Sequence, residues 1–317
     1  LGALTLLGLL RCAACIGREW SVGWFLGLFL VVVALSAPLL VHPNGYVVNG
    51  VGFQGILDHP QVLGVFLAPY VAGLLIVLVE GSTWRPPLLV AALVGSGFLV
   101  ATGARTGGVA VAVGVGLAVG VGLLAQRSGW RLPRHRRREL AVAGVLVLWV
   151  LVATPYAQAA IQEYVVKDPG DETLSLAQTF AEGRGPLVAE SWARFAESPL
   201  LGRGFGVSAS PDGVDTVGGI PASATVESGF VLSGILEQTG LLGLVAFLAL
   251  LAVALRPGAR GHSLAAVALA AAAVATNVGE ATLVSFGGTG LFIWLIVLWA
   301  VVLAPSPDPS MADGSSG

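Results

Sequence analysis

Apolar residues in this chain fall into long unbroken blocks, with little of the striping expected of a half-buried helix or strand. Such blocks predict helices that are apolar all round. Blocks near the ~20 residues a bilayer requires predict membrane spans. Eight spans are expected, over 24–41, 61–79, 87–103, 107–125, 140–156, 229–255, 263–278 and 288–304. A ninth apolar block, roughly 1–16, is interrupted by Arg11. The predicted fold is therefore all-α: a polytopic helical bundle of eight or nine spans. Its membrane domain covers 1–304, with one long polar loop over about 157–228.

Composition excludes the alternative of a water-soluble domain. Of 317 residues, 56% are hydrophobic and 11% charged, against about 25% charged in soluble domains. Mean hydropathy is +0.86. Cys12 and Cys15 have no further ligands near them and read as small packing residues in lipid. The chain begins at Leu1 and its only methionine is Met311, which suggests a fragment or a processed chain; no secretory leader pattern is visible. The tail, 305–317, is rich in Pro, Ser, Asp and Gly and is expected to be disordered.

Basic residues set the expected orientation. Arg127, Arg131, Arg134, Arg136, Arg137 and Arg138 crowd one short loop, which is assigned to the cytoplasm. Alternating from there puts Arg11, Arg18, Arg85, Arg256, Arg260 and the C-terminus on the same side. The arginine-rich loop reads as a topogenic and lipid-headgroup feature, not a nucleic-acid patch. Two segments then face outward, 42–60 and 157–228. The second is too long for a simple connector. Within it, Leu187, Ala189, Trp192, Phe195 and Ala196 predict a short amphipathic helix over 186–198, lying on the membrane surface or packed on the spans. Gly116-x-x-x-Gly120 would permit close helix contact. No internal repeat of the transporter kind is seen.

The candidate chemistry lies at the outer face. Arg105 sits in Thr-Gly-Ala-Arg-Thr-Gly-Gly between two spans. An arginine so close to hydrocarbon is costly, so it is either functional or snorkels to the interface. Arg184, Arg194 and Arg203 lie in the long loop. A guanidinium fork matches phosphate oxygens; each could instead pair with Glu182, Glu190 or Glu197. Asp58, His59, Glu227 and Glu280 are the outer groups available as bases or counter-charges. Walker A, His-Glu-x-x-His, Gly-x-Ser-x-Gly and Cys/His zinc spacings are absent, and no Asp-x-Asp pair stands on an outer loop. Neither a metal nor another cofactor is expected.

Taken in order, four segments resemble the O-antigen ligase and O-antigen polymerase superfamily of bacterial inner-membrane proteins. They are Phe53-Gln-Gly-Ile-Leu-Asp-His-Pro-Gln-Val-Leu-Gly64, Thr102-Gly-Ala-Arg-Thr-Gly-Gly108, Trp192-Ala-Arg-Phe-Ala-Glu-Ser-Pro-Leu-Leu-Gly-Arg-Gly-Phe-Gly206, and Glu227-Ser-Gly-Phe with Leu236-Glu-Gln-Thr-Gly-Leu-Leu-Gly243. The link at Glu280 and the final aromatic span also fit, so the resemblance covers about 45–304. Two positions depart from the family pattern. A ligase histidine is replaced by Glu227 or Ser228, and Arg184 stands eight residues before Trp192 instead of one helical turn.

The resemblance implies a C-type glycosyltransferase-like bundle in the cytoplasmic membrane. Its donor would be a glycan on a polyprenyl (undecaprenyl) diphosphate. Its acceptor would be a second glycan or glycolipid, in cell-surface polysaccharide assembly. On that reading Arg105, Arg184 and Arg203 bind the diphosphate, Glu227 is the catalytic base, and Arg194, Asp58, His59 and Glu280 are further contacts. Removing one such arginine should slow the reaction on the order of 10²–10³-fold. A transporter of the same superfamily is the second reading, and a non-catalytic partner in an envelope assembly the third. Clustering of the polar candidates at the outer edge favours the first.

Overall fold

A computed structural model describes residues 18–46, 52–80, 85–125, 176–204, 216–217, 220–221, 231–260, 263–278, 283 and 288–303. The expected spans at 1–16 and 140–156, the arginine-rich loop, Glu227, Glu280 and the tail lie outside the described residues. The described chain is α-helical, apart from a two-residue antiparallel ribbon, Thr216–Val217 with Ile220–Pro221. Helices are α1 (Arg18–Ser36), α2 (Pro60–Glu80), α3 (Arg85–Thr102), α4 (Arg105–Ala125), α5 (Leu176–Glu197), α6 (Val231–Arg260), α7 (Leu264–Ala275) and α8 (Gly288–Leu303).

Among the described residues, four stretches are long and apolar enough to cross a bilayer: Gly23–Val41, Pro60–Val79, Thr106–Leu123 and Val231–Ala252. Three more apolar helices are shorter, Pro86–Thr102, Leu264–Ala275 and Gly290–Ala300. This is a helical membrane protein. The span expected over 263–278 is a 12-residue helix closed by a 3₁₀ turn, Thr276–Val278, so apolar length in sequence overstated helix length there.

The chain divides into two compact units. In the first, α2 is largely enclosed, packed with α3, α4 and α7. Ala72 and Ile76 of α2 meet Ala118 of α4 and Leu264, Val267, Ala268 and Ala272 of α7 in one apolar cluster. In lipid, helices associate by close packing because hydrocarbon offers no hydrophobic drive. The small side chains of α7 suit this. At Gly114 of α4 a Cβ would sit 2.6 Å from the Ala268 carbonyl oxygen and 2.8 Å from the Ala272 Cβ. Among the described residues Gly116 and Gly120 meet nothing within 4 Å, so the contact with α7 uses a different stripe of α4. Phe25 of α1 stacks on Tyr70 at 4.0 Å and takes Trp299 edge-on at 4.7 Å.

One end of this unit is built by short-range capping. The His59 carbonyl accepts the Leu63 N–H at 3.2 Å, its ring Nδ1 accepts the Gln61 N–H at 3.1 Å, and Pro60 opens α2. Proline suits that first position because its missing N–H has no intrahelical partner there. His42-Pro43-Asn44 repeats the device, its ring Nδ1 accepting the Asn44 N–H at 3.2 Å. Between these two caps the chain tucks inward. Phe53 is fully buried against Tyr46 and Phe98, and its N–H donates to the Ala101 carbonyl at 2.9 Å. The outer segment expected over 42–60 thus folds onto the end of α3.

The second unit holds α5, the turn after it, the ribbon, α6 through Leu250, and the start of α8. In it Asn277 is buried. Its Oδ1 accepts the Leu283 N–H at 2.6 Å and its Nδ2 donates to Thr276 Oγ1 at 3.3 Å.

Candidate functional site

α5 is longer than the amphipathic helix expected over 186–198. It begins at Leu176 and runs through Pro186. Arg184 therefore lies within a helix, nearly three turns before Arg194. The face carrying Arg194 meets α6. Its Nη1 donates to Glu237 Oε1 at 2.7 Å, and its Nη2 donates to Glu190, one turn upstream. The Arg194 and Glu237 side chains are 14% and 12% exposed, so this is a largely dry pair. Burial alone pulls the Arg194 pKa down. The hydrogen bond and charge of Glu237, with Glu190 added, outweigh burial, and the net shift is upward.

Immediately after α5, Ser198-Pro-Leu-Leu-Gly-Arg-Gly204 turns back along α6. At that level α6 is interrupted, because Gly240 has φ +65° and ψ −165°. The two segments exchange four main-chain hydrogen bonds. Arg203 N donates to Glu237 O at 2.9 Å, and Gly204 N to Gln238 O at 3.0 Å. Leu241 N donates to Pro199 O at 2.9 Å, and Leu242 N to Leu200 O at 3.2 Å. Gly202, with φ +68°, lies so close to the Gln238–Thr239 peptide that a Cβ would overlap it. Gly240 is pressed against Leu200 and Leu201 in the same way. Two glycine-bearing stretches thus form one interlocked clasp.

Arg203 projects from this clasp with a different character from Arg194. Its Nη2 meets Glu197 Oε2 at 2.8 Å, and both side chains are solvated, 44% and 59% exposed. Leu200, Leu201, Leu241, Leu242 and Trp192 are exposed nearby along the same segments. The arrangement presents an exchangeable cation beside apolar surface, which suits an amphiphilic anion.

The remaining expected residues lie elsewhere. Arg105 opens α4 directly after a tight Gly103–Ala104 turn. That turn is fixed by Thr102, whose Oγ1 donates to the Leu99 carbonyl at 2.7 Å and accepts the Ala104 N–H at 3.0 Å. Gly103 supplies φ +62°. His59 serves as a helix cap, and its neighbour Asp58 is exposed. Arg105, Asp58 and His59 belong to the first unit, and Arg184, Arg194 and Arg203 to the second. Among the described residues, no group of three or more His, Cys, Asp or Glu side chains could hold a metal ion.

Glu237 is the residue that sequence reasoning passed over. It falls inside the apolar block 229–255, and a carboxylate there is costly without a partner. That signal implies a cation from elsewhere in the chain, and Arg194 supplies it. No known family model matches this chain, and no curated protein matches it.

Proposed function

We propose that this protein transfers or polymerises a polyprenyl-diphosphate-linked glycan onto an acceptor at the outer face of the cytoplasmic membrane. One observation carries the reading. The segments Trp192–Gly206 and Leu236–Gly243, which resemble the glycan-transferase superfamily separately, are joined by the clasp, and Arg203 stands on it beside exposed leucines.

In the proposed reaction the acceptor hydroxyl attacks the anomeric carbon. The bond from that carbon to the diphosphate oxygen breaks, the hydroxyl proton passes to a base, and polyprenyl diphosphate leaves with the electron pair. Negative charge grows on the leaving diphosphate, and a guanidinium free to take up its oxygens stabilises it. Arg203 fits that role because its partner Glu197 is solvated and weakly held. Arg194, held by two carboxylates, is assigned a positioning role. Arg184, in the same unit, remains a proposed diphosphate contact, and Glu227 the proposed base.

The second reading, a transporter, draws support from the interruption of α6 within an apolar stretch, since broken helices line many transport sites. Here the carbonyls of Glu237 and Gln238, beside the break, already accept amides from the clasp. Their capacity for a transported ion is reduced, which favours the transferase.

The test is reconstitution of the full chain in liposomes with a short oligosaccharide-diphosphate-polyprenol as donor. Transfer predicts polyprenyl diphosphate released in proportion to acceptor extended. Movement of the intact donor between leaflets with no release would select the transporter.

A further inference from the structure

The four clasp bonds have a property that the reaction does not use. In an uninterrupted helix the Leu241 N–H would donate to the Glu237 carbonyl, and the Leu242 N–H to the Gln238 carbonyl. Those same two carbonyls and two amides are the groups that bond the segment 198–204. We propose that 198–204 is a releasable strap, and that α6 is a two-state element, broken at Gly240 while the strap is docked and continuous when it leaves.

The exchange conserves hydrogen bonds where conservation matters. A backbone group left unpaired at membrane depth is costly, so a span can change shape only if its polar groups find new partners at once. The Glu237 and Gln238 carbonyls and the Leu241 and Leu242 amides are paired in both states. The groups released on the strap side, Pro199 O, Leu200 O, Arg203 N and Gly204 N, belong to a polar loop and can turn to water.

The docked state has two further requirements. Arg194 to Glu237 is the latch, because Glu237 gives its carbonyl to the strap and its carboxylate to α5. The glycines are the second. Gly240 holds a positive φ, and a Cβ on Gly243 would collide with the Thr239 side chain as it lies in the broken form. In a continuous helix Ala is favoured over Gly at both places. Gly240→Ala and Gly243→Ala should therefore drive the same rewinding from two different positions. This inference does not rest on which molecule the protein transfers.

The experiment is hydrogen exchange by mass spectrometry on the full chain in lipid nanodiscs. It compares the peptide containing Arg203 and Gly204 with the peptide containing Leu241 and Leu242. In Gly240→Ala and Gly243→Ala, the first peptide should exchange about tenfold faster or more while the second stays as slow as in the wild type. Arg194→Gln leaves the sequence of α6 intact and serves if the glycine variants do not fold; it should give the same split, smaller in size. Acceleration of both peptides together would mean that the region melts instead of rewinding. No change in either would mean a permanently broken helix. Either result overturns the proposal.

Discussion

Two arginines nine positions apart in the chain sit in opposite electrostatic regimes. Arg194 shares largely buried contacts with Glu237, and hydrogen bonds to charged groups are worth about 1.5–3 kcal/mol. Losing either partner leaves the other charge poorly solvated, so Arg194→Gln or Glu237→Gln should each lower stability by about 2 kcal/mol. The double variant should cost clearly less than the sum, as a thermal-unfolding cycle in detergent would read. Arg203 and Glu197 are solvated, and such pairs contribute about 0–1 kcal/mol. Glu197→Gln should leave stability nearly unchanged and tighten donor binding, by freeing the guanidinium. A titration of donor against protein in nanodiscs would register the difference. The sign for pH follows from the upward shift at Arg194. A group whose folded pKa is raised contributes fully below its unfolded value and is lost only as pH climbs through the folded one. For arginine that range lies at strongly alkaline pH. Raising pH from about 7 to about 10 should therefore not release the latch through Arg194. Exchange at Arg203 and Gly204, corrected for its intrinsic pH dependence, is the readout.

At the scale of elements, what was legible tracks how local the cause is. α2 starts at Pro60 and ends at Glu80, within a residue of the expected 61–79, because a His-Pro cap and an unbroken apolar run set both ends. α5 extends ten residues further upstream than expected. Its Gly183-Arg-Gly-Pro186 reads as a breaker in sequence, yet the helix continues through it. The break in α6 was hidden for the opposite reason. Glycine is common in membrane helices, and nothing near Gly240 announces that its partner is Leu200, forty residues upstream. Glycine spacing likewise did not mark where α4 meets α7. Gly116 and Gly120 carry the familiar motif, but Gly114 makes the contact with α7. Gly114→Val should overpack the Ala268–Ala272 face and cost about 1–3 kcal/mol, whereas Gly116→Val should be nearly neutral. Comparing the two unfolding temperatures in detergent distinguishes them.

For the whole molecule, composition alone was enough to place the chain in a membrane, because the shortage of charge leaves no water-soluble alternative. Arginine distribution then carries the expectation that α5 and the strap lie outside the cytoplasm. A membrane-impermeant maleimide should label Leu201→Cys in intact cells, in a chain with Cys12 and Cys15 replaced by Ala, since Leu201 is exposed on the strap. Labelling only after membrane disruption would reverse the orientation. The candidate site was legible only as residue types. Local sequence names Arg194 and Arg203, but which arginine is locked and which is exchangeable depends on Glu237, 43 residues from Arg194.

Glycan transfer by an Arg203 series in liposomes, with an oligosaccharide-diphosphate-polyprenol donor, measures the role of this guanidinium most directly. Arg203→Ala should lower turnover on the order of 10²-fold, and Arg203→Lys should restore part of it. Wild-type turnover in Arg203→Ala, with the strap still protected from exchange, would contradict the account.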